Sequence, residues 1–555
     1  MMLRKVADEP ARPAPSEDYV CRILDRLATT PEREVIMHGD RWLSGGKLRR
    51  LIGGAVCGLS RLGVGRDGTV AALTEPNHPL MLVIRYAANL LGARIVYVRS
   101  VNPRSEDVGL TDAQRVEILR ETHADLLFAD RLSLPEALAL RERCGRAIPV
   151  CGFDLDGASE VESLTPTDDF SPVELSEWNA ERVAAVVYTS GTAGVPKGVC
   201  ISFGAWDSMV RGFARSQSRP LTFLAVTPIS QAASTMLDGC LTVGGRVVLH
   251  PGFDADAVLD SIAGDGVTGA YMAMPHLYAL LDNPRIAETD LSRLVWLIYS
   301  GTPASRQRME RASRVFGMSL IQSYGTTEAG PVSVLLPMAH RSPDLRRTVG
   351  RPLPGVRIRI CDPQTERDLD AGAIGEVWVR SPTTMSGYLG DQPAGHTVTE
   401  DGWLRTGDLG TFDSRGYLSL LGRLGDVIKC RGIKVFPQAV EEALISHLDV
   451  AEAHVFGLRG ADEIEEVHAA VALRPDADVC GVELRDHVAA CLSPLHVPDA
   501  ITRWSALPLT AVGKPDRRLL ALGAQGGADE IWPSSRPSGT PAAVEDPPNV
   551  SGVEK

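Results

Sequence analysis

The chain is predicted to be a mixed α/β protein of more than one domain, and three observations predict it. Its 555 residues exceed what a single hydrophobic core can organise. The stretch from Thr69 to Val98 reads as an apolar strand (69–74), a helix (Pro79 to Leu91) and a second apolar strand (93–98), the repeating unit of a parallel sheet. The same alternation returns after Leu221, with strands expected at 221–226, 246–249 and 268–272 and helices at 234–243 and 257–263.

Between these runs, residues 111–150 carry helical periodicity (Val116, Leu119, Leu134, Leu138) and a strand at 125–129. The acidic stretch 154–177 reads as a surface connection. Residues 1–18, with Pro10, Pro13 and Pro15, read as a flexible N-terminus, and 523–555, rich in Gly, Pro, Ser and Asp, as a disordered tail.

Composition limits the partners. Hydrophobic residues at 44% and charged residues at 23% are ordinary for a globular protein. A formal net charge of −13 argues against nucleic acid or an anionic membrane as the main partner, so an anionic ligand must be captured by local cations. The ten cysteines are scattered, with no C-x-x-C pair and no histidine cluster at metal-ligand spacing, the pattern of reduced thiols in a cytoplasmic protein. Neither a signal peptide nor an apolar run of the roughly 18 residues needed to span a membrane is expected.

The chemistry is organised around Tyr188-Thr-Ser-Gly-Thr-Ala-Gly-Val-Pro-Lys-Gly198, which follows the apolar run Val183 to Val187. A buried strand ending in such a loop exposes backbone N–H groups and hydroxyls, and Lys197 adds a positive charge, so a phosphate chain is its natural ligand. A plain surface turn has the same composition. It is not a Walker A loop, because Pro196 precedes the lysine and Gly198 stands where Ser or Thr is needed. Four more strings follow in order: Gln322-Ser-Tyr-Gly-Thr-Thr-Glu328 after a strand at 318–321, Trp403-Leu-Arg-Thr-Gly-Asp408, the stretch from Gly422-Arg-Leu-Gly to Pro437 ahead of a helix at 437–447, and Leu507-Pro-Leu-Thr-Ala-Val-Gly-Lys514-Pro-Asp-Arg517. Each alone has a bland reading as a helix cap, a common turn, a basic turn or a solvated lysine.

Together these strings resemble the ordered motifs of the adenylate-forming superfamily of acyl- and aryl-CoA ligases, peptide-synthetase adenylation domains and luciferases, over nearly all of 19–522. The resemblance implies a large N-terminal AMP-binding domain (19–422) of two α/β sheet subdomains and a β-barrel-like subdomain. It also implies a small mobile α+β C-terminal domain (423–522) that carries a catalytic lysine. ATP and Mg²⁺ are the implied cofactors, with CoA as cosubstrate. Residues Thr189, Ser190, Gly191, Thr192 and Lys197 would hold phosphates, and Gly301, Thr302 and Pro303 would line the adenine side. Tyr324 would stack near the adenine with Gly325 beside it, Thr326 and Thr327 would approach the α-phosphate, and Glu328 would bind Mg²⁺, as suits a hard oxygen ligand. Asp408 would accept the ribose hydroxyls on its two oxygens, Arg423 would contact ribose or phosphate, and Lys429 and Arg431 would face the site in the second half-reaction. Lys514 would bridge the attacking carboxylate and the α-phosphate, stabilising charge that builds there. Gly425 stands at the hinge position, where glycine tolerates large backbone rotations.

The acid pocket departs from the family. Gln231 replaces an expected histidine, Phe203 replaces another, and the run Tyr299-Ser300-Gly301-Thr302-Pro303 replaces the usual Gly-Gly-Ala-Pro, so Gln231, Tyr299 and Ser300 are candidate substrate-pocket residues. The reading is an AMP-forming ligase that adenylates an aryl or fatty acid and transfers it to CoA or a carrier-protein thiol, in secondary or lipid metabolism such as antibiotic biosynthesis. An alternative is an ATP-dependent diazotase that adenylates nitrite and delivers it to an aromatic amine. A third reading, a non-catalytic nucleotide-binding relic, is disfavoured by the joint presence of Lys197, Glu328, Asp408, Arg423 and Lys514.

Overall fold

The structure, a computed structural model, describes residues 18–99, 110–155, 161–169, 173–189, 196–231, 233–301, 306–390, 398–459, 464–474, 477–508, 515–524 and 530–533. It divides into two compact units, one of Met1–Val427 with Pro508–Asp516, the other of Ile428–Leu507 with Arg517–Lys555.

Two large sheets form the body of the larger unit. In the first, of eight strands, Val161–Leu164, Val150–Phe153, Leu126–Ala129, Thr69–Leu73, Arg94–Tyr97 and Val183–Thr189 run parallel, and Lys197–Ser202 and then Gly387–Tyr388 add antiparallel at one edge. The second has nine strands. Its parallel centre is Glu34–His38, Arg246–Leu249, Thr222–Ala225, Gly269–Ala273, Trp296–Ser300 and Leu320–Thr326, with Arg41–Ser44 antiparallel on one side and Gly330–Leu335 and Arg351–Pro352 on the other. The remaining β subdomain is a four-stranded antiparallel sheet of Arg357–Cys361, Gly375–Arg380, Leu404–Phe412 and Leu418–Arg423. The fold is thus the mixed α/β arrangement that the alternating pattern predicts.

The local reasons are legible. Strands Thr69–Leu73 and Leu126–Ala129 are buried along their whole length, as near-continuous apolar runs in a parallel sheet must be. Helix Leu80–Leu90 is buried on every face, so its one charge cannot reach water. That charge, Arg85, is wholly buried and pairs at 2.6 Å with the equally buried Asp238 of helix Ala233–Thr242. Asp238 also accepts from the Tyr86 hydroxyl at 2.6 Å and from Trp206 Nε1 at 2.9 Å, which satisfies the carboxylate that burial would otherwise penalise. Helix Phe203–Ser216, capped by the Ser202 hydroxyl, supplies that tryptophan and buries Phe203 at its first position. All ten cysteines are unpaired. No helix among the described residues is long and apolar enough to cross a membrane.

In the smaller unit, strands Val450–Arg459, Glu465–Leu473, Ala500–Trp504 and Glu530–Pro533 form a sheet against helices Pro437–Ile445 and Gly481–Cys491. It begins with the hairpin Ile428–Cys430/Ile433–Val435, whose two turn residues Arg431 (φ +49°) and Gly432 (φ +75°) both lie in the left-handed region that a tight two-residue hairpin requires.

Three expectations are corrected. The stretch 154–177 is not simply a connection, because Val161–Leu164 pairs along Val150–Phe153 as an edge strand. The strand expected at 318–321 lies later, as Leu320–Thr326: pairing on both sides, to Trp296–Ser300 and Gly330–Leu335, carries it through the motif itself. The tail expected to be disordered from 523 contains Glu530–Pro533, paired antiparallel with Ala500–Trp504, and Trp532 packs where a Cβ on Gly481 would be 2.6 Å from it. Two apolar residues, Ile531 and Trp532, suffice to add this strand although the surrounding composition is polar. Residues 1–17 and 534–555 lie outside the described residues.

Candidate active site

The phosphate-loop motif is a hairpin. Thr189 ends strand Val183–Thr189 and sits directly opposite Lys197, the first residue of the returning strand. Ser190, Gly191 and Thr192, between them in sequence, lie outside the described residues, as do Thr302, Pro303 and Lys514. Gly198 is packed so closely that an added Cβ would stand 3.0 Å from Val186 Cγ1 and 3.2 Å from Leu389 Cβ.

The Gln322–Glu328 motif forms a second hairpin, closed by Thr326 opposite Gly330, with Thr327 and Glu328 half-buried at its tip. The Thr326 hydroxyl accepts from Ala329 N at 3.0 Å. Gly325 is dictated by close approach, since a Cβ there would meet Gly330 O at 2.4 Å.

These two hairpins come together through a residue that the sequence did not single out, Tyr388. Its hydroxyl donates to Glu328 Oε1 at 3.0 Å, and Lys197 Nζ lies 5.4 Å from its ring centre. Burial, then the Glu328 carboxylate, pushes the Tyr388 phenol up, so it stays a neutral donor. An ammonium group and a carboxylate therefore flank one aromatic ring. Its motif, Ser386-Gly-Tyr-Leu, carries no chemical signature of its own.

A second cluster joins Tyr324, Asp408 and Arg423. Asp408 and Arg423 are cross-strand partners, with Arg423 Nε 3.3 Å from Asp408 Oδ1. The Tyr324 hydroxyl donates to Asp408 Oδ2 at 2.7 Å, and burial followed by that carboxylate raises the phenol well above its ordinary range. Asp408 is 8% exposed, and Arg423 keeps 42% of its side chain in solvent, a guanidinium anchored at one end and open at the other. A charge-assisted hydrogen bond of this kind contributes about 1.5–3 kcal/mol.

On the acid side, Gln231 is half-buried in the turn that follows strand Thr222–Ala225, its backbone N–H donating to Pro228 O at 3.2 Å. Asn77, buried and at φ +52°, holds that turn from the other sheet. Its Nδ2 donates to Thr227 O at 3.0 Å and His250 O at 2.8 Å, and its Oδ1 accepts from Ile229 N at 2.9 Å. Ser300 is half-buried and shares a 2.6 Å hydrogen bond with the Tyr271 hydroxyl, and Gly301 follows exposed at φ +119°. Tyr299 is a correction. It is 1% exposed inside the core of the second sheet, with its hydroxyl on His340 Nε2 at 2.9 Å and near Gln322 Oε1 at 3.3 Å, so it supports the site strand and does not line an open pocket. Successive strand residues face opposite sides, and Ser300 takes the open one.

In the smaller unit, Lys429 has an exposed side chain while its backbone N–H donates to Glu465 Oε2 at 2.7 Å. Arg431 is committed within the unit: its guanidinium donates to Leu495 O and Val497 O, both at 2.9 Å, and pairs with Asp499. Gly425 lies in a turn at Leu424–Asp426, without a left-handed φ and with nothing within 4 Å of a Cβ.

Among the described residues no group of three or more His, Cys, Asp or Glu side chains could hold a metal ion. A single carboxylate, Glu328, beside Lys197 instead matches magnesium, which keeps its waters and arrives on phosphates rather than entering a protein cage. The residues fit.

Comparison with known proteins agrees with this geometry. The sequence pattern of the AMP-binding enzyme family matches residues 24–389, and that of the AMP-binding enzyme C-terminal domain matches 439–514. A feruloyl-CoA synthase of an Amycolatopsis species is 30% identical over 88% of this chain and 95% of its own. The amide bond synthetase McbA from Marinactinospora thermotolerans superposes with a TM-score of 0.80 at 32% identity, over 91% of this chain and 99% of that one. The o-succinylbenzoate coenzyme A synthetase of Bacillus subtilis, solved with ATP and magnesium ion, gives a TM-score of 0.75 at 26% identity, over 90% and 99%. Motif order, hairpin geometry and these matches lead to one conclusion: the chain belongs to the AMP-binding enzyme family, and is an adenylate-forming ligase.

Proposed function

We propose that this ligase adenylates an organic carboxylic acid with ATP and passes the acyl group to the thiol of CoA. The observation that carries the first half is the meeting of Lys197 and Glu328 on Tyr388, next to the linked Tyr324, Asp408 and Arg423. Lys197 holds the phosphate chain, Asp408 takes the ribose hydroxyls, and Arg423 spans ribose and phosphate. Thr326 and Thr327 line the α-phosphate. Glu328 would hold Mg²⁺, which would supply neutralisation of the triphosphate charge. Lys514 is the cation for the attacking carboxylate oxygen. The acid oxygen attacks the α-phosphorus, pyrophosphate leaves, and an acyl adenylate remains.

The acid is expected to bear a polar group. Thr227 Oγ1 and Ser230 Oγ, in the turn that holds Gln231, are buried side-chain oxygens with no hydrogen-bond partner among the described residues. Such atoms call for a water or a ligand group. The relatives named for feruloyl-CoA and o-succinylbenzoate speak for a carboxylic acid over nitrite.

An amine acceptor is the second reading, favoured by the likeness to an amide bond synthetase. A pyrophosphate-release assay with ATP and Mg²⁺ over aliphatic acids, hydroxylated aromatic acids and nitrite, with CoA or an amine added and products identified by mass, separates the cases. A thioester made only with acid and CoA supports the proposal. An amide formed without CoA moves it to the second reading, and a diazonium product or no turnover with any acid overturns both.

A further inference from the structure

Residues 381–389 cross from the antiparallel subdomain to the first large sheet, and on the way they bind both hairpins of the site. Toward the Glu328 hairpin, the Thr383 hydroxyl donates to Ala329 O at 2.7 Å and Met385 N to Glu328 O at 2.7 Å. Toward the Lys197 strand, Ser386 N donates to Cys200 O at 2.9 Å and Leu389 N to Gly198 O at 2.8 Å, with Tyr388 in register with Val199. Two hairpins that belong to different sheets are thereby fixed to one short segment. Backbone bonds alone set the separation of the main chains. The side chains that carry charge need their own constraint, because a glutamate and a lysine each have several rotatable bonds.

Tyr388 provides it for both. Its hydroxyl holds Glu328 Oε1 and so fixes the carboxylate plane. The face of its ring lies 5.4 Å from Lys197 Nζ, within the range of a cation–π contact. A phenylalanine would fill the same volume, so the hydroxyl is surplus to packing.

We propose that Tyr388 is a positioning residue that holds Glu328 and Lys197 at the spacing required by a magnesium-chelated triphosphate. The inference rests on the assignment of those two residues given above. It divides the tyrosine into two functions, the hydroxyl acting through the metal ligand and the ring through the phosphate-binding lysine.

Calorimetric titration of the full chain with α,β-methylene-ATP, which cannot be cleaved at the α-phosphate, separates them when run without Mg²⁺ and over a Mg²⁺ series. Tyr388→Phe is expected to leave Mg²⁺-free binding within about twofold of wild type and to raise the half-saturating Mg²⁺ concentration about tenfold or more, as loss of a hydrogen bond to a ligating carboxylate does. Tyr388→Leu is expected to weaken Mg²⁺-free binding severalfold in addition. A merely structural tyrosine would lower the melting temperature without shifting the Mg²⁺ series. Glu328→Gln is the reference. If it shifts the Mg²⁺ series and Tyr388→Phe does not, the positioning role is overturned while Glu328 keeps its assignment; if Glu328→Gln shifts nothing, the assignment of the ligand falls first. In the double variant, Tyr388→Phe should add no further shift to that of Glu328→Gln, and full additivity would also overturn the proposal.

Discussion

The hydroxyl of Tyr324 donates to Oδ2 of Asp408 at 2.7 Å, one of several bonds that link the nine-stranded sheet to the antiparallel subdomain. Tyr324→Phe removes a donor from a carboxylate that is 8% exposed. Stability is expected to fall by about 1–3 kcal/mol in urea titration, and nucleotide affinity about tenfold, because Asp408 then turns toward Arg423 alone. Unchanged affinity would mean that Asp408 is held without the tyrosine.

Gly325→Ala tests the hairpin that carries Glu328. The new Cβ would stand 2.4 Å from the backbone oxygen of Gly330, and backbone cannot swing aside as a side chain can. The hairpin must spread, at a cost of about 1–3 kcal/mol, and adenylation should drop more than tenfold in pyrophosphate release. Gly212→Ala is the control: it lies within helix Phe203–Ser216, with nothing within 4 Å of a Cβ, and should stabilise by about 0.5–1 kcal/mol.

Arg85→Met strips Asp238 of its cation while Tyr86 and Trp206 still donate to it. A buried charge left without its partner is expected to cost about 3–5 kcal/mol by chemical denaturation. Adding Asp238→Asn removes the charge and keeps an acceptor for the two remaining donors, so the double variant should recover part of the loss.

His340 gives a pH signature. Burial pushes its imidazole down from 6.5 to about 4, and its Nε2 accepts from Tyr299. A group whose folded value lies below its unfolded value contributes stability above pH 6.5, and that stability drains away as pH falls toward 4. The shift corresponds to up to about 3 kcal/mol. His340→Gln should flatten the stability profile between pH 6.5 and 4, as read by thermal melting in a buffer series.

Much of this was legible in the chain because the relevant signals are local. Most of the parallel strands are four- or five-residue apolar runs between turn residues, the composition of the loop from Thr189 to Lys197 suggests a phosphate ligand, and Glu328 and Asp408 stand in strings that resemble the family's motifs. Partners brought together from afar were not legible. Tyr388 meets a glutamate sixty positions away, and nothing in Ser386-Gly-Tyr-Leu marks it. The face of strand Trp296–Ser300 that carries Tyr299 is decided by the helices packed on it, so a pocket residue and a core residue read alike. The pairing of Arg431 with Asp499 was not legible because no sequence pattern links the two segments.

The short strand Gly387–Tyr388 also governs the order of assembly. Until it arrives, Lys197–Ser202 is the last strand of the first sheet, with one row of backbone groups unpaired. A nascent or truncated chain that stops before the segment 381–389 therefore presents an open, largely apolar edge of the sort that recruits other chains. Closure of that edge is non-local, since it pairs residues 387 and 388 with 200 and 199.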